Sequence, residues 1–184
     1  LAAIVEQAHH HGIDVKAMTS SDIKKAKKAA QDVDAVIIVA KATSTEAKDR
    51  EHLHLDDDAD DLIWSISSFK PTVVLLELPG PILMPWRHRP SAILSMFMGG
   101  EQTGNAWADI LFGQSPSGKL PVAIPASEAD TIEPSFGSTV AYSEGLATSY
   151  RSRTFKFAWP FGHGLSYTHF VYHLPEVVEG ESSL

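Results

Sequence analysis

Ala35-Val36-Ile37-Ile38-Val39-Ala40 is a continuous apolar run rich in β-branched residues. Such a run fits a parallel strand buried on both faces. Thr72-Val73-Val74-Leu75-Leu76 and Ala92-Ile93-Leu94 repeat the signature. Between the first two, Asp58–Phe69 reads as a helix with Leu62, Ile63 and Ile66 facing inward. After the third, Thr103–Phe112 reads as another, with Ala106, Ile110 and Leu111 inward and Gly113 ending it. Strands alternating with helices imply βαβ units. The expected fold is α/β: a doubly wound, mostly parallel sheet flanked by helices, an αβα sandwich.

Upstream, Leu1–His11 has a helical apolar pattern closed by Gly12, with His9-His10-His11 in the last turn, where cationic side chains are favoured. Adjacent positions on a helix point in different directions, so the three histidines do not form a shared ligand set. Ile13-Asp14-Val15 reads as a short edge strand. Ser20-Ser21-Asp22 caps a second helix, Ile23–Val33, whose lysines form a solvated face. Downstream of Gly113 the proline, serine and glycine residues around Pro116, Pro121, Pro125 and Pro134 predict an irregular wrap. Residues 1–126 are taken as the sandwich and residues 127–175 as linker and wrap. Phe170-Val171-Tyr172 in that wrap reads as the start of a β-strand. Residues 176–184 form an acidic tail.

The bulk properties narrow the function. At 184 residues and 43% hydrophobic the chain suits one globular domain with an appendage. A net charge of −8 argues against a nucleic-acid partner and says nothing against uncharged sugars. Without cysteine there is neither a disulfide framework nor a thiolate metal site. No apolar run approaches the length of about 20 residues that spans a bilayer. The chain begins at Leu1 inside a helical pattern, with no initiator Met or signal peptide, and is read as an internal start.

Three punctuated motifs follow one another in the second half: Asn105-Ala106-Trp107-Ala108-Asp109-Ile110-Leu111-Phe112-Gly113, then Pro116-Ser117-Gly118-Lys119-Leu120-Pro121-Val122, then Trp159-Pro160-Phe161-Gly162-His163-Gly164-Leu165-Ser166-Tyr167-Thr168. In this order they resemble the C-terminal part of glycoside hydrolase family 3, the β-glucosidase and β-xylosidase family. The resemblance runs from about Ala35 to Tyr172. It implies the α/β-sandwich domain of a retaining enzyme that cleaves β-linked glucose or xylose, without a cofactor. It further implies an N-terminal (β/α)8 barrel in the same polypeptide, an extracellular or periplasmic location, and a fibronectin-III-like domain starting where this chain ends. The Ser117 and Phe161 motifs are structural in the family, and no G-x-S-x-G elbow accompanies them.

In a parallel sheet, ligands gather at the carboxyl ends of the strands. The loop after the Ala35–Ala40 run reads Lys41-Ala42-Thr43-Ser44-Thr45-Glu46-Ala47-Lys48-Asp49-Arg50-Glu51-His52-Leu53-His54-Leu55. It is similar to the family loop in which a Glu is followed by an Asp-Arg pair and a Leu-x-Leu. By that match Glu46 inherits the general acid/base role, while the nucleophilic Asp lies in the barrel. Asp49 and Arg50 are read from their chemistry as substrate-binding, an Arg being able to line a sugar subsite. The plain readings stand beside these: an exposed loop Glu near Lys48 and Arg50, and an Asp-Arg pair that pins the loop. Glu51 is the substitute for Glu46. The chemistry asks for two carboxyls about 5–5.5 Å apart and a raised pKa on the acid.

Where the family usually has Pro-Gly-x-Gln, this chain has Asp56-Asp57-Asp58-Ala59. The acidic run Asp56–Asp61 reads as a first helical turn. His52 and His54 read as two exposed histidines on one face, His163 as a hydrogen-bonded structural residue, and Trp86 and Trp159 as buried. The Met98–Asn105 turn lacks both the G-x-G-x-x-G and the Lys-Ser/Thr of a nucleotide site. With no barrel present, the chain alone is expected to be inactive. Two other classes stay open: a non-catalytic carbohydrate-binding or interaction module, and a flavodoxin-like ligand binder.

Overall fold

Three parallel strands form the centre of the computed structural model, which describes residues 1–48, 50–132 and 138–175. They are β1 (Val36–Lys41), β2 (Thr72–Glu77) and β3 (Ala92–Met96), hydrogen-bonded in the order β1-β2-β3. Val36 pairs with Thr72 and Val73 with Ala92, so the strands run in step to their carboxyl ends. Four helices cover the sheet: α1 (Ala2–His10), α2 (Ile23–Ala29), α3 (Ala59–Ser67) and α4 (Thr103–Leu111). On one face Ile63 and Ile66 of α3, with Ala26 of α2 behind them, pack on Ile38, Ala40, Val74 and Leu76. On the other, Ile4 of α1 and Trp107 and Ala108 of α4 close over Leu75. The result is the expected three-layer α/β sandwich.

Four local expectations need correction. Burial on both faces holds for β2 only. In β1, Ile38 and Ala40 are covered, while Ile37 and Val39 are 42% and 55% exposed. Ile13-Asp14-Val15 forms no strand, because the Ile13 N–H is engaged in ending α1. It donates to Ala8 O and Gly12 N–H donates to His9 O, a Schellman closure with Gly12 at φ +70°. Helix α2 stops at Ala29, short of Val33. Its start is as expected, with the Asp22 side chain accepting from Lys25 N–H at 3.0 Å. The Val33 carbonyl is taken by Lys70 Nζ at 2.8 Å. In α4 the buried residues are Trp107 and Ala108, with Leu111 partly covered. Trp107 is the largest apolar surface on that helix, and burying it sets the helix rotation.

After α4 the chain wraps back on itself, and two motifs separated by forty-odd residues of sequence meet. Leu120 N–H donates to His163 O and Gly162 N–H to Leu120 O, each at 2.8 Å. Lys119 Nζ donates to Gly164 O at 2.6 Å, and Tyr167 OH donates to Ile110 O at 3.1 Å. His163 thus acts through its backbone. The strap continues as a short antiparallel pair, β4 (Ile124–Pro125) with β5 (Phe157–Trp159). Phe170-Val171-Tyr172 is exposed and joins no strand among the described residues. A Cβ at Gly164 would lie 2.6 Å from the Gly118 carbonyl oxygen. Gly164→Ala is therefore expected to lever the strap off and cost about 1–3 kcal/mol, read as a lower urea midpoint. An unshifted midpoint would show that the strap is not held this way.

Candidate functional site

The loop between β1 and α3 rises from the carboxyl end of the sheet, and its neck, limbs and tip are each held differently. At the neck, Ala42 N–H still bonds to Glu77 O at 3.1 Å as the last rung beside β2. Asp56 then closes the loop. Its N–H donates to Lys41 O at 2.9 Å. Its carboxylate accepts from Thr43 N–H at 3.2 Å and Thr43 Oγ1 at 2.5 Å, with Lys41 Nζ 3.8 Å away. The proline that the family pattern places at this position has neither the N–H nor the carboxylate. Asp57 and Asp58 follow at φ +56° and +55°, turning the chain sharply into α3. Two successive non-glycine residues in the left-handed region carry a conformational cost, which the neck contacts offset.

The descending limb is pinned to the segment that follows β2. Arg50 Nη1 donates to Pro81 O at 3.0 Å, and Leu83 N–H donates to Leu53 O at 2.8 Å. Partial burial pulls the Arg50 pKa below the ordinary arginine value, yet a guanidinium stays charged at neutral pH. Asp49 lies outside the described residues.

At the tip, Thr45 and Lys48 form a single antiparallel bridge, with Glu46-Ala47 as the turn between them. Glu46 is exposed there. Glu51 is not equivalent. It pairs with Lys48 at 2.8 Å, and that hydrogen bond, followed by the lysine's charge, holds its carboxyl below the usual range. A carboxyl kept ionised is a poor proton donor.

Beneath the loop lies a polar contact set that local sequence patterns did not reveal. The Trp86 ring is fully buried, and its Nε1–H donates to Asp60 Oδ1 at 2.6 Å. Asp60 Oδ2 lies 2.9 Å from His54 Nδ1. The His52 and His54 rings are 5.7 Å apart, so these histidines do share a face, but His54 is half-buried and bonded. The acidic run divides by role: Asp56 closes the loop, Asp58 precedes α3, and Asp60 holds Trp86. Among the described residues, no three His, Asp or Glu side chains converge as a metal site would require.

Residues 1–167 match the family described as "Glycosyl hydrolase family 3 C-terminal domain". The chain is 39% identical over 168 residues to a protein named probable beta-glucosidase I of Aspergillus niger, covering 83% of this chain and 20% of that one. It is 35% identical over 162 residues to thermostable beta-glucosidase B of Acetivibrio thermocellus, covering 82% of this chain and 22% of the relative. Among solved structures, the beta-D-glucoside glucohydrolase of Trichoderma reesei superposes with a TM-score of 0.86 at 27% identity, over 94% of this chain and 27% of that one. A beta-glucosidase from Streptomyces venezuelae in complex with D-glucose does so with a TM-score of 0.76 at 35% identity, over 86% of this chain and 22% of that one. The chain thus spans about a fifth of the length of the curated relatives it matches. With the sandwich, the three motifs and the match over residues 1–167 in agreement, the chain belongs to glycosyl hydrolase family 3, as a C-terminal domain of that family.

Proposed function

We propose that the protein containing this chain is a retaining β-glycosidase of the β-glucosidase type, and that Glu46 is its general acid/base. The nucleophilic Asp is supplied by a (β/α)8 barrel elsewhere in the same polypeptide. The observation that carries this reading is the placing of Glu46. It stands at the exposed tip of a loop whose neck and descending limb are tied to the carboxyl end of the sheet. A carboxyl held out in this way can reach a sugar bound on a neighbouring domain, where a second carboxyl about 5–5.5 Å away completes the pair. Glu51, already paired with Lys48, is the weaker candidate. The names of the relatives favour β-glucosides over β-xylosides as substrates. Asp49 and Arg50 then serve the sugar site, Arg50 with one nitrogen already on Pro81 O. Residues 1–126 are assigned to the sandwich together with the first arm of the strap, and residues 127–175 to the rest of the wrap.

The test is hydrolysis of an aryl β-D-glucoside followed by proton NMR. The full-length protein is expected to release β-glucose first, which then mutarotates. The 184-residue chain alone is expected to release none. Turnover by the chain alone, or α-glucose as first product, would overturn the reading.

A further inference from the structure

We propose that Asp56 is a positioning residue: it holds the ascending limb of the loop so that Glu46 meets the leaving oxygen at the right place. The proposal rests on the acid/base reading of Glu46 and extends it to a residue outside the reacting pair. The two limbs are anchored unequally. The descending limb has the Arg50 bond to Pro81 O and the Leu53 bond from Leu83 N–H. Between Ala42 and the tip, the ascending limb has one attachment among the described residues, Thr43 to Asp56. Thr43 stands three residues before Glu46, so freedom at Thr43 passes directly to the tip.

Asp56 is suited to the task because it is itself fixed from three sides. Its N–H is bound to Lys41 O at the end of β1, its carbonyl accepts from Ala59 N–H at 3.1 Å at the start of α3, and Lys41 Nζ stands 3.8 Å from its carboxylate. One residue thereby links the strand, the helix and the limb that carries Glu46. Catalytic groups must be held near the reactive geometry, and a displacement of about 1 Å can cost on the order of 10²-fold in rate.

The experiment compares two substrates with the full-length protein. An alkyl β-D-glucoside needs its leaving oxygen protonated, and 2,4-dinitrophenyl β-D-glucoside does not. Asp56→Ala is expected to lower kcat/KM for the alkyl glucoside about 10- to 100-fold, with little change for the dinitrophenyl substrate. Asp56→Asn keeps an acceptor oxygen for Thr43 and is expected to recover most of the loss. An equal fall on both substrates would mean a purely structural role and would overturn the proposal. So would an unchanged Asp56→Ala beside a Glu46→Gln variant that loses alkyl-glucoside activity. If Glu46→Gln itself leaves the alkyl glucoside unaffected, the acid/base reading fails first and the positioning role falls with it.

Discussion

Glu46→Gln in the full-length protein is expected to lower kcat/KM for an alkyl β-glucoside about 10²–10⁴-fold, the span that a positioned general acid contributes. Glutamine keeps the length, shape and hydrogen-bonding reach of the side chain and removes only the transferable proton. Because Glu46 is exposed at a turn and makes no hydrogen bond among the described residues, the substitution leaves the core and the loop neck in place. The loss should shrink for 2,4-dinitrophenyl β-glucoside, whose phenolate departs without protonation. On that substrate water attack on the glycosyl-enzyme becomes limiting, and added azide should restore turnover, because an anionic nucleophile needs no base. Glu51→Gln breaks only a surface pair with Lys48 and should leave both substrates near the parent rate. An active Glu46→Gln protein beside an inactive Glu51→Gln protein would reverse the assignment.

The second large effect is thermodynamic. Trp86→Ala is expected to destabilise the fold by about 3–5 kcal/mol, the usual range for deleting a buried large aromatic. Trp86 is fully buried in the cluster that contains Ile63, Ile66, Leu76, Leu78 and Ile82. Truncation leaves a cavity that this rigid layer cannot close, and it removes the indole N–H from the Asp60 carboxylate. Against a total stability of about 5–15 kcal/mol, the variant should be largely unfolded or close to it at moderate temperature. Trp86→Phe keeps most of the volume and loses the hydrogen bond, so a smaller cost of about 1–3 kcal/mol is expected. Urea titration of the 184-residue chain followed by far-ultraviolet circular dichroism separates the two. A Trp86→Ala midpoint equal to that of Trp86→Phe would mean that Trp86 is not the packing element described here.

The parts of this fold that could be read in advance are those specified by nearest neighbours. Unbroken apolar runs give the strands of the sheet, the glycine after His11 closes α1, and Asp22 starts α2 through its own side chain. What a local pattern cannot contain is the identity of the facing layer. Val36–Ala40 reads as a strand covered on both sides, but coverage depends on what packs there, and Ile37 and Val39 face outward among the described residues. The rotation of α4 escapes a local pattern for a similar reason. Apolar side chains occur on more than one of its faces, and burying the indole of Trp107 decides which turns inward.

The site divides along the same line. A strand followed by a loop with Glu46, Asp49 and Arg50 was visible as an ordered set of residue types. The contacts that shape the loop join Arg50 to Pro81, 31 residues away, and Trp86 to Asp60, 26 residues away. Asp56 had a signal of its own, standing where a family resemblance calls for proline. In sequence it reads as one more carboxylate in an acidic first turn. Its separate duty shows only when Thr43 and Lys41 are seen around it.

A loop closed at its neck is a replaceable part. Thr43 and Asp56 are thirteen positions apart, and the chain between them is held mainly by Arg50 and Leu53 on the segment after β2, by His54 on Asp60 of α3, and by the buried Leu55. Doubling the length of a flexible closed segment adds only about 0.6 kcal/mol of closure cost. Insertions near the Glu46 turn are therefore cheap for stability, and lineages can vary the reach of this arm while the scaffold beneath it stays constant. The same property makes the interval from Ser44 to Lys48 the natural place to graft a longer arm when a bulkier sugar chain has to be accommodated.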